Sequence, residues 1–268
     1  KNQVEALQSS NFDGQRFPEL YFFKPRYLLE INGSKLTVNR NYPETFELIE
    51  AIENYNTPQK DTTAVELKCR TAKETYLVNV EKIRNQIAQG DFYEMNYCLE
   101  FFAEDIIIDA VKTFISLNDK AQAPFSSFFK LGDKYLLCAS PERFLKKEGA
   151  KLISQPIKGT IRKGESEEEN TLLQQQLKND IKEQAENVMI VDLVRNDLAH
   201  CSVPGSVQVE ELFGIYGFNT VNQMISTIAS TARCDVHCTD IIKCTFTMGS
   251  MTGAPNVMVM QTIEKYED

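Results

Sequence analysis

Residues 154–164, SQPIKGTIRKG, place a lone lysine, Lys158, between an apolar Pro-Ile pair and a Gly-Thr pair, directly after a run that alternates as a strand does. A solvated lysine after a strand is one reading. The flanking residues favour another, because Pro156 fixes the backbone direction and Gly159 permits close approach of a ligand. An amine held in such a turn near apolar walls can lose its proton and act as a nucleophile or base. Sixteen residues upstream, CASPERFL carries Glu142 after Ser-Pro at what reads as a strand-to-strand turn. Two antiparallel strands joined there would bring Glu142 and Lys158 to the same end of one sheet, an acid across from a base or nucleophile.

Outward from this pair, residues 124–131, 135–139 and 143–147 alternate like strands. Residues 72–89 set Tyr76, Val80, Ile83 and Ile87 at helical spacing and end at Gly90, a usual helix terminator. DFYEMNYCLEFF (91–102) reads as a strand, 107–118 and 166–187 as helices, and VMIVDLV (188–194) fits either a continuing helix or a new strand. Nearer the N-terminus, residues 19–40 predict a hairpin about Asn32-Gly33, both with φ > 0, which also accounts for the formal sequon INGS. YPETFELIEAI (42–52) predicts a short helix, and the polar stretch 56–65 a break between an N-terminal region, 1–64, and the remainder, 65–268. Irregularly mixed strands and helices without repeats predict an α+β (mixed α/β) fold.

A composition 42% hydrophobic and 25% charged is that of an ordinary globular chain. The net charge is 29 − 38 = −9, so no general attraction to nucleic acid or an anionic membrane is expected, and an anionic substrate must be held by local cations and amides. Seven cysteines, an odd number lying mostly in apolar runs, fit reduced thiols of a cytosolic protein. The first ten residues lack the apolar core of a signal peptide, and no apolar run approaches the roughly 18 residues of a membrane span, so a cytoplasmic location is expected.

Asp180, Glu183, Glu186 and Asn187 fall at i, i+3, i+6 and i+7, a stripe of oxygen ligands on one helix face. Such a stripe is either a solvated face or a partial shell for Mg²⁺, which takes a few carboxylates and completes its coordination with water or substrate. Asp192, Arg195, Asn196 and Asp197 read as an ion-pair set or a structural polar network. MGSMTGAP (248–255) is a loop whose amides could cradle a carboxylate or phosphate. CDVHC (234–238) has no zinc or haem spacing, and His200 and His237 lack a motif around them.

Taken in order, GDFYEMN, SPERFL, PIKGT, AENVMIVDLVRNDL, GSVQVEELF, STI and GSMTGAP resemble the chorismate-utilising enzymes, over about residue 76 to the C-terminus. The resemblance implies two large, mostly antiparallel sheets packed face to face with helices outside, as in anthranilate synthase component I. Residues 1–64 would be the tail of the N-terminal region and 65–268 the chorismate-binding catalytic region. Lysine rather than alanine in PIxGT resembles the aminodeoxychorismate synthase component I branch. That branch converts chorismate and ammonia to 4-amino-4-deoxychorismate, on the way to p-aminobenzoate and folate, with ammonia from a glutamine amidotransferase partner. By matched motif, Lys158 would attack ring carbon 2 while Glu142 protonates the departing 4-hydroxyl. Glu186, with Glu183 as outer partner, would hold Mg²⁺, and Gly159, Thr160, Gly249, Ser250, Thr252 and Gly253 would line the substrate carboxylates. The chain departs from the family pattern at Glu94, Asn222, Thr247 and Asn256, where glutamine, histidine, proline and lysine are usual. A non-catalytic member or fragment that binds the glutaminase, or anthranilate or isochorismate chemistry, are the alternatives.

Overall fold

A computed structural model describes residues 9–18, 20–38, 42–56 and 64–267. In chain order the elements are β1 (Leu29–Asn32), β2 (Lys35–Val38), α1 (Thr45–Glu53), β3 (Lys68–Cys69), α2 (Lys73–Gln89), β4 (Glu94–Met95), β5 (Phe101–Phe102), α3 (Ala110–Ala121), β6 (Phe125–Leu131), β7 (Lys134–Ser140) and β8 (Arg143–Glu148). They continue with β9 (Lys151–Gln155), β10 (Ile157–Arg162), α4 (Glu167–Lys178), α5 (Ile181–Ala199), β11 (Gln208–Gly217), β12 (Val221–Thr231), α6 (Cys238–Thr245), α7 (Gly249–Thr252), β13 (Gly253–Ala254) and α8 (Asn256–Tyr266).

The fold is α+β with antiparallel pairing throughout the described strands, as expected. Its centre is one five-stranded sheet. The long strand β12 pairs with β11 along one edge and with β10 and then β9 along the other, and β8 continues beyond β9. The remaining strands form two-stranded pairs: β1 with β2, β3 with β5, β4 with β13, and β6 with β7. Asn222 to Ser230 are all buried, the run expected of a strand packed on both faces. Helix α5 lies across β10 and β12 and contributes Val191 and Leu198 to a core with Leu152, Cys201, Ile228 and Ile241. VMIVDLV therefore continues the helix, because its apolar residues meet the sheet at helical spacing. A second, smaller core joins α2 to α8 through Ile83, Phe92 and Val259. No described helix is long and apolar enough to cross a membrane.

Helix α2 ends at Gly90 in the left-handed region (φ 88°), as read. The N-terminal hairpin forms one residue later than expected: Gly33 and Ser34 are its turn, and only Gly33 has positive φ (61°), the pattern of a turn that needs glycine at its first central position alone. Residues 91–102 are not one strand; Glu94–Met95 and Phe101–Phe102 are two-residue strands that join different partners. The 166–187 helix is two helices, broken at Asn179–Asp180, where Asp180 caps α5 by accepting from the amides of Lys182 and Glu183. Most of the polar break at 56–65 lies outside the described residues. All seven cysteines are free thiols.

Candidate active site

The ladder between β10 and β12 slips between Ile157 and Thr160, leaving Lys158 and Gly159 as a bulge. A bulge re-aims the side chains it carries, and Gly159 at φ 94° has a conformation that L side chains rarely adopt. Asn187 of α5 fixes the bulge, donating to Lys158 O at 3.5 Å while Ser226 Oγ of β12 donates to Asn187 Oδ1 at 2.5 Å. The Lys158 side chain is 14% exposed and its Nζ lies 3.1 Å from Glu94 Oε1.

Glu142 occupies the turn between β7 and β8, where its amide donates to Ser140 Oγ at 3.2 Å. Its own carboxylate accepts from the amide of Ile157, the residue before Lys158, at 3.3 Å. Burial pushes the Glu142 carboxyl above the usual range, and the Ser250 hydroxyl, the Ile157 amide and the Lys158 charge only partly offset that. A carboxyl that holds its proton more tightly than usual, beside an amine, is the arrangement a proton donor needs. Glu142 also lines a cavity of about 20 Å³ with Phe144, Pro156, Asp197, Met248 and Ser250, room for about one water molecule. Asp197, the last member of the 192–197 set, is pushed up to about 7 by burial, with the Asn196 side chain working the other way. Asp192 and Arg195 form an ion pair at 2.7 Å, both sides well exposed.

The 248–255 loop closes over this centre. Gly253 and Ala254 pair with Met95 and Glu94, the Tyr93 amide donates to Ala254 O at 2.8 Å, the Asn96 amide to Thr252 O at 3.0 Å, and the Asn96 side chain to Ser250 O at 2.9 Å. Packing requires one of its glycines: a Cβ on Gly253 would stand 2.2 Å from the backbone oxygen Glu94 O, whereas one on Gly249 would meet the terminal Cδ2 of the Leu193 side chain at 1.9 Å. Thr252 Oγ1 donates to Met248 O within the loop. Thr160 is exposed at the edge of the sheet, in register with Gln223.

Of the four-residue oxygen stripe, the fold leaves two members available. Asp180 is used as the α5 cap, and Asn187 is turned inward, 1% exposed. Glu183 packs against Gly159, its Oε2 3.2 Å from where a Cβ there would stand. Glu186 lies one turn further along, and the largely exposed Lys182 ammonium reaches both, 2.9 Å from Glu186 and 3.5 Å from Glu183. Two carboxylates that already converge on one cation fit a divalent ion. Among the described residues no cluster of three or more His, Cys, Asp or Glu side chains could enclose a metal, so such an ion would complete its shell with water and substrate. His237 instead caps α6, with Asp240 accepting from its amide at 2.9 Å.

The family departures are absorbed locally. Asn222 is fully buried, accepts from Gln174 at 2.9 Å and donates to Asn170 at 2.8 Å. Thr247 and Asn256 are partners: the threonine hydroxyl donates to Asn256 Oδ1 at 2.9 Å. Glu94, by contrast, faces the lysine. Its part in the site was not legible as chemistry, because only the pairing of β4 with β13, two short segments far apart in sequence, brings it there.

The bulged lysine, the Glu142 carboxyl and the Glu183–Glu186 pair are carried by one helix-backed antiparallel sheet and its turns. The model of the chorismate binding enzyme family matches residues 1–268, and the chain belongs to that family. Within it the chain is similar to aminodeoxychorismate synthase component 1 of Escherichia coli (strain K12), 35% identical over 211 residues that are 78% of this chain and 46% of the relative. It is similar also to the protein of that name from Bacillus subtilis (strain 168), 32% identical over 280 residues, 98% of this chain and 59% of the relative. The fold matches the crystal structure of anthranilate synthase component I from Streptococcus pneumoniae TIGR4 with a TM-score of 0.74 at 25% identity, covering 83% of this chain and 49% of that one. The chain spans roughly half the length of these relatives.

Proposed function

We propose that this chain carries the amination centre of an aminodeoxychorismate synthase, acting in the cytoplasm on chorismate and on ammonia delivered by a glutamine amidotransferase. The observation that carries the reading is the placement of a half-buried Glu142, its carboxyl raised by desolvation, on the amide that precedes Lys158. The Lys158 amine adds at ring carbon 2 as both conjugated ring double bonds shift and the bond from carbon 4 to its hydroxyl breaks. Glu142 gives its proton to that hydroxyl, which leaves as water. A hydroxyl is a poor leaving group unless protonated, and covalent capture divides one hard substitution into two easier ones. Ammonia then adds at carbon 4 and expels the lysine as a free amine.

Glu183 and Glu186 would hold Mg²⁺, with Lys182 swinging aside. Bound there, the ion neutralises a substrate carboxylate that would otherwise meet an acidic face. The amides about Gly159 and Thr160 and those of Gly249 and Ser250 would supply neutral donors for substrate carboxylates, whereas the Thr252 and Gly253 amides already donate to Met248 O and Gly249 O. The test is ammonia-dependent formation of 4-amino-4-deoxychorismate by the purified protein and by Lys158→Ala. Product from the first and none from the second supports the reading; equal turnover refutes it.

A further inference from the structure

The Lys158 amine stands in an ion pair, and an ammonium has no lone pair with which to attack carbon. A proton must leave first. The charged groups facing it are Glu94 and Glu142, with Glu183 packed against the neighbouring Gly159. Glu142 is the proton donor of the proposed reaction and Glu183 belongs to the carboxylate pair, which leaves Glu94. Its Oε1 is buried, accepts no hydrogen bond, and lies 3.1 Å from Lys158 Nζ, with the two side chains 18% and 14% exposed. The carboxylate is held there by backbone: Glu94 pairs with Ala254, and the absent Cβ of Gly253 lets the two segments touch.

We propose that Glu94 is a catalytic base for this chain, taking the proton from Lys158 as substrate covers the site and returning it when the amine is released. The inference rests on the lysine-adduct reading above. Proton transfer converts an ammonium and a carboxylate into a neutral amine and a carboxylic acid, and a covered, water-poor site favours the neutral pair because burying charge is costly. The amine then forms its bond to carbon 2 and becomes a secondary ammonium, while Glu142 is left as a carboxylate and water departs. After ammonia adds at carbon 4, the lysine leaves as a neutral amine and recovers its proton from Glu94. Glu142 recovers its proton from the new ammonium on carbon 4, so the sum is chorismate plus ammonia giving aminodeoxychorismate plus water.

An internal acceptor has a diagnostic consequence. The neutral pair and the ion pair contain the same number of protons, so the fraction in the reactive form does not change with pH. With glutamine in place of Glu94 the proton must go to solvent, and the reactive fraction rises tenfold per pH unit. The experiment times Lys158 adduct formation by rapid quench and mass spectrometry, from chorismate and Mg²⁺ without ammonia, between about pH 6 and pH 8. Wild type is expected to follow only the protonation of Glu142, the proton donor. Relative to wild type, Glu94→Gln is expected to be about 100-fold slower at neutral pH and to climb steeply with pH, and Glu94→Asp, which restores a carboxylate, to run parallel to wild type. A Glu94→Gln protein that forms adduct at the wild-type rate, or slowly but without the pH slope, overturns the proposal while leaving the lysine reading intact. Absence of adduct in wild type overturns both.

Discussion

Lys158 Nζ and Glu94 Oε1 are 3.1 Å apart, joining a bulge in the central sheet to a two-residue strand that the 248–255 loop holds in place. The loop also carries Ser250, which lines the same small cavity as Glu142. One loop thus positions both carboxyl groups that face the amine, and disturbing it should affect chemistry and stability together.

Gly253→Ala tests that dependence. Its φ of 126° and the 2.2 Å approach of a Cβ to Glu94 O cannot both be relieved without moving β4 from β13. A loss of about 2–4 kcal/mol in denaturant unfolding is expected, from overpacking together with strain at positive φ. Wild-type stability in this variant would show that the contact is not tight.

Glu142→Gln should keep the fold, because the surroundings of this side chain already penalise its charged form. It should lower turnover by about 10²- to 10⁴-fold, the usual contribution of a positioned acid. Burial raises the Glu142 carboxyl, so the active protonated form persists at pH values where an ordinary glutamate is ionised and is lost as pH rises through the raised value. Wild-type turnover should fall on that alkaline limb, and the limb should be absent from the residual activity of the variant.

Asp197 gives a stability prediction with a definite sign. Its carboxyl moves from 3.8 to about 7 on folding, so the folded state holds the proton more tightly. Its contribution is fully present below about pH 4 and is lost as pH rises through 7, a change on the order of 2–4 kcal/mol. Asp197→Asn should leave stability at pH 4 nearly unchanged and raise it at pH 8. Equal effects at both values, measured by urea unfolding, would contradict the assignment.

Lys182 competes for the carboxylate pair. Titration calorimetry should therefore show Mg²⁺ binding weakened by Glu186→Gln and strengthened by Lys182→Ala. If neither substitution moves the affinity, the ion binds elsewhere.

The α+β class, α2 with its terminal glycine, the strands on either side of Glu142 and the Lys158–Glu142 proximity were legible, because each follows from local periodicity or from a short connection, while the antiparallel sheet followed only from the family resemblance. The split at Asn179–Asp180 was hidden by continuous helical propensity across a capping aspartate. Asn187 looked like a ligand because spacing reports which face a residue shares, whereas a hydrogen bond to Ser226 decides where it points. Glu94 read only as a departure from pattern, since a two-residue strand has no periodicity and its partner lies in the distant 248–255 loop.

The central claim is that the Lys158 amine bonds to the substrate ring. The direct measurement is peptide mass spectrometry of the protein incubated with chorismate and Mg²⁺ in the absence of ammonia. The peptide containing Lys158 should gain the mass of chorismate less one water and should lose it when ammonia is added. Unmodified Lys158 in a protein that nevertheless releases aminodeoxychorismate on adding ammonia would contradict the account.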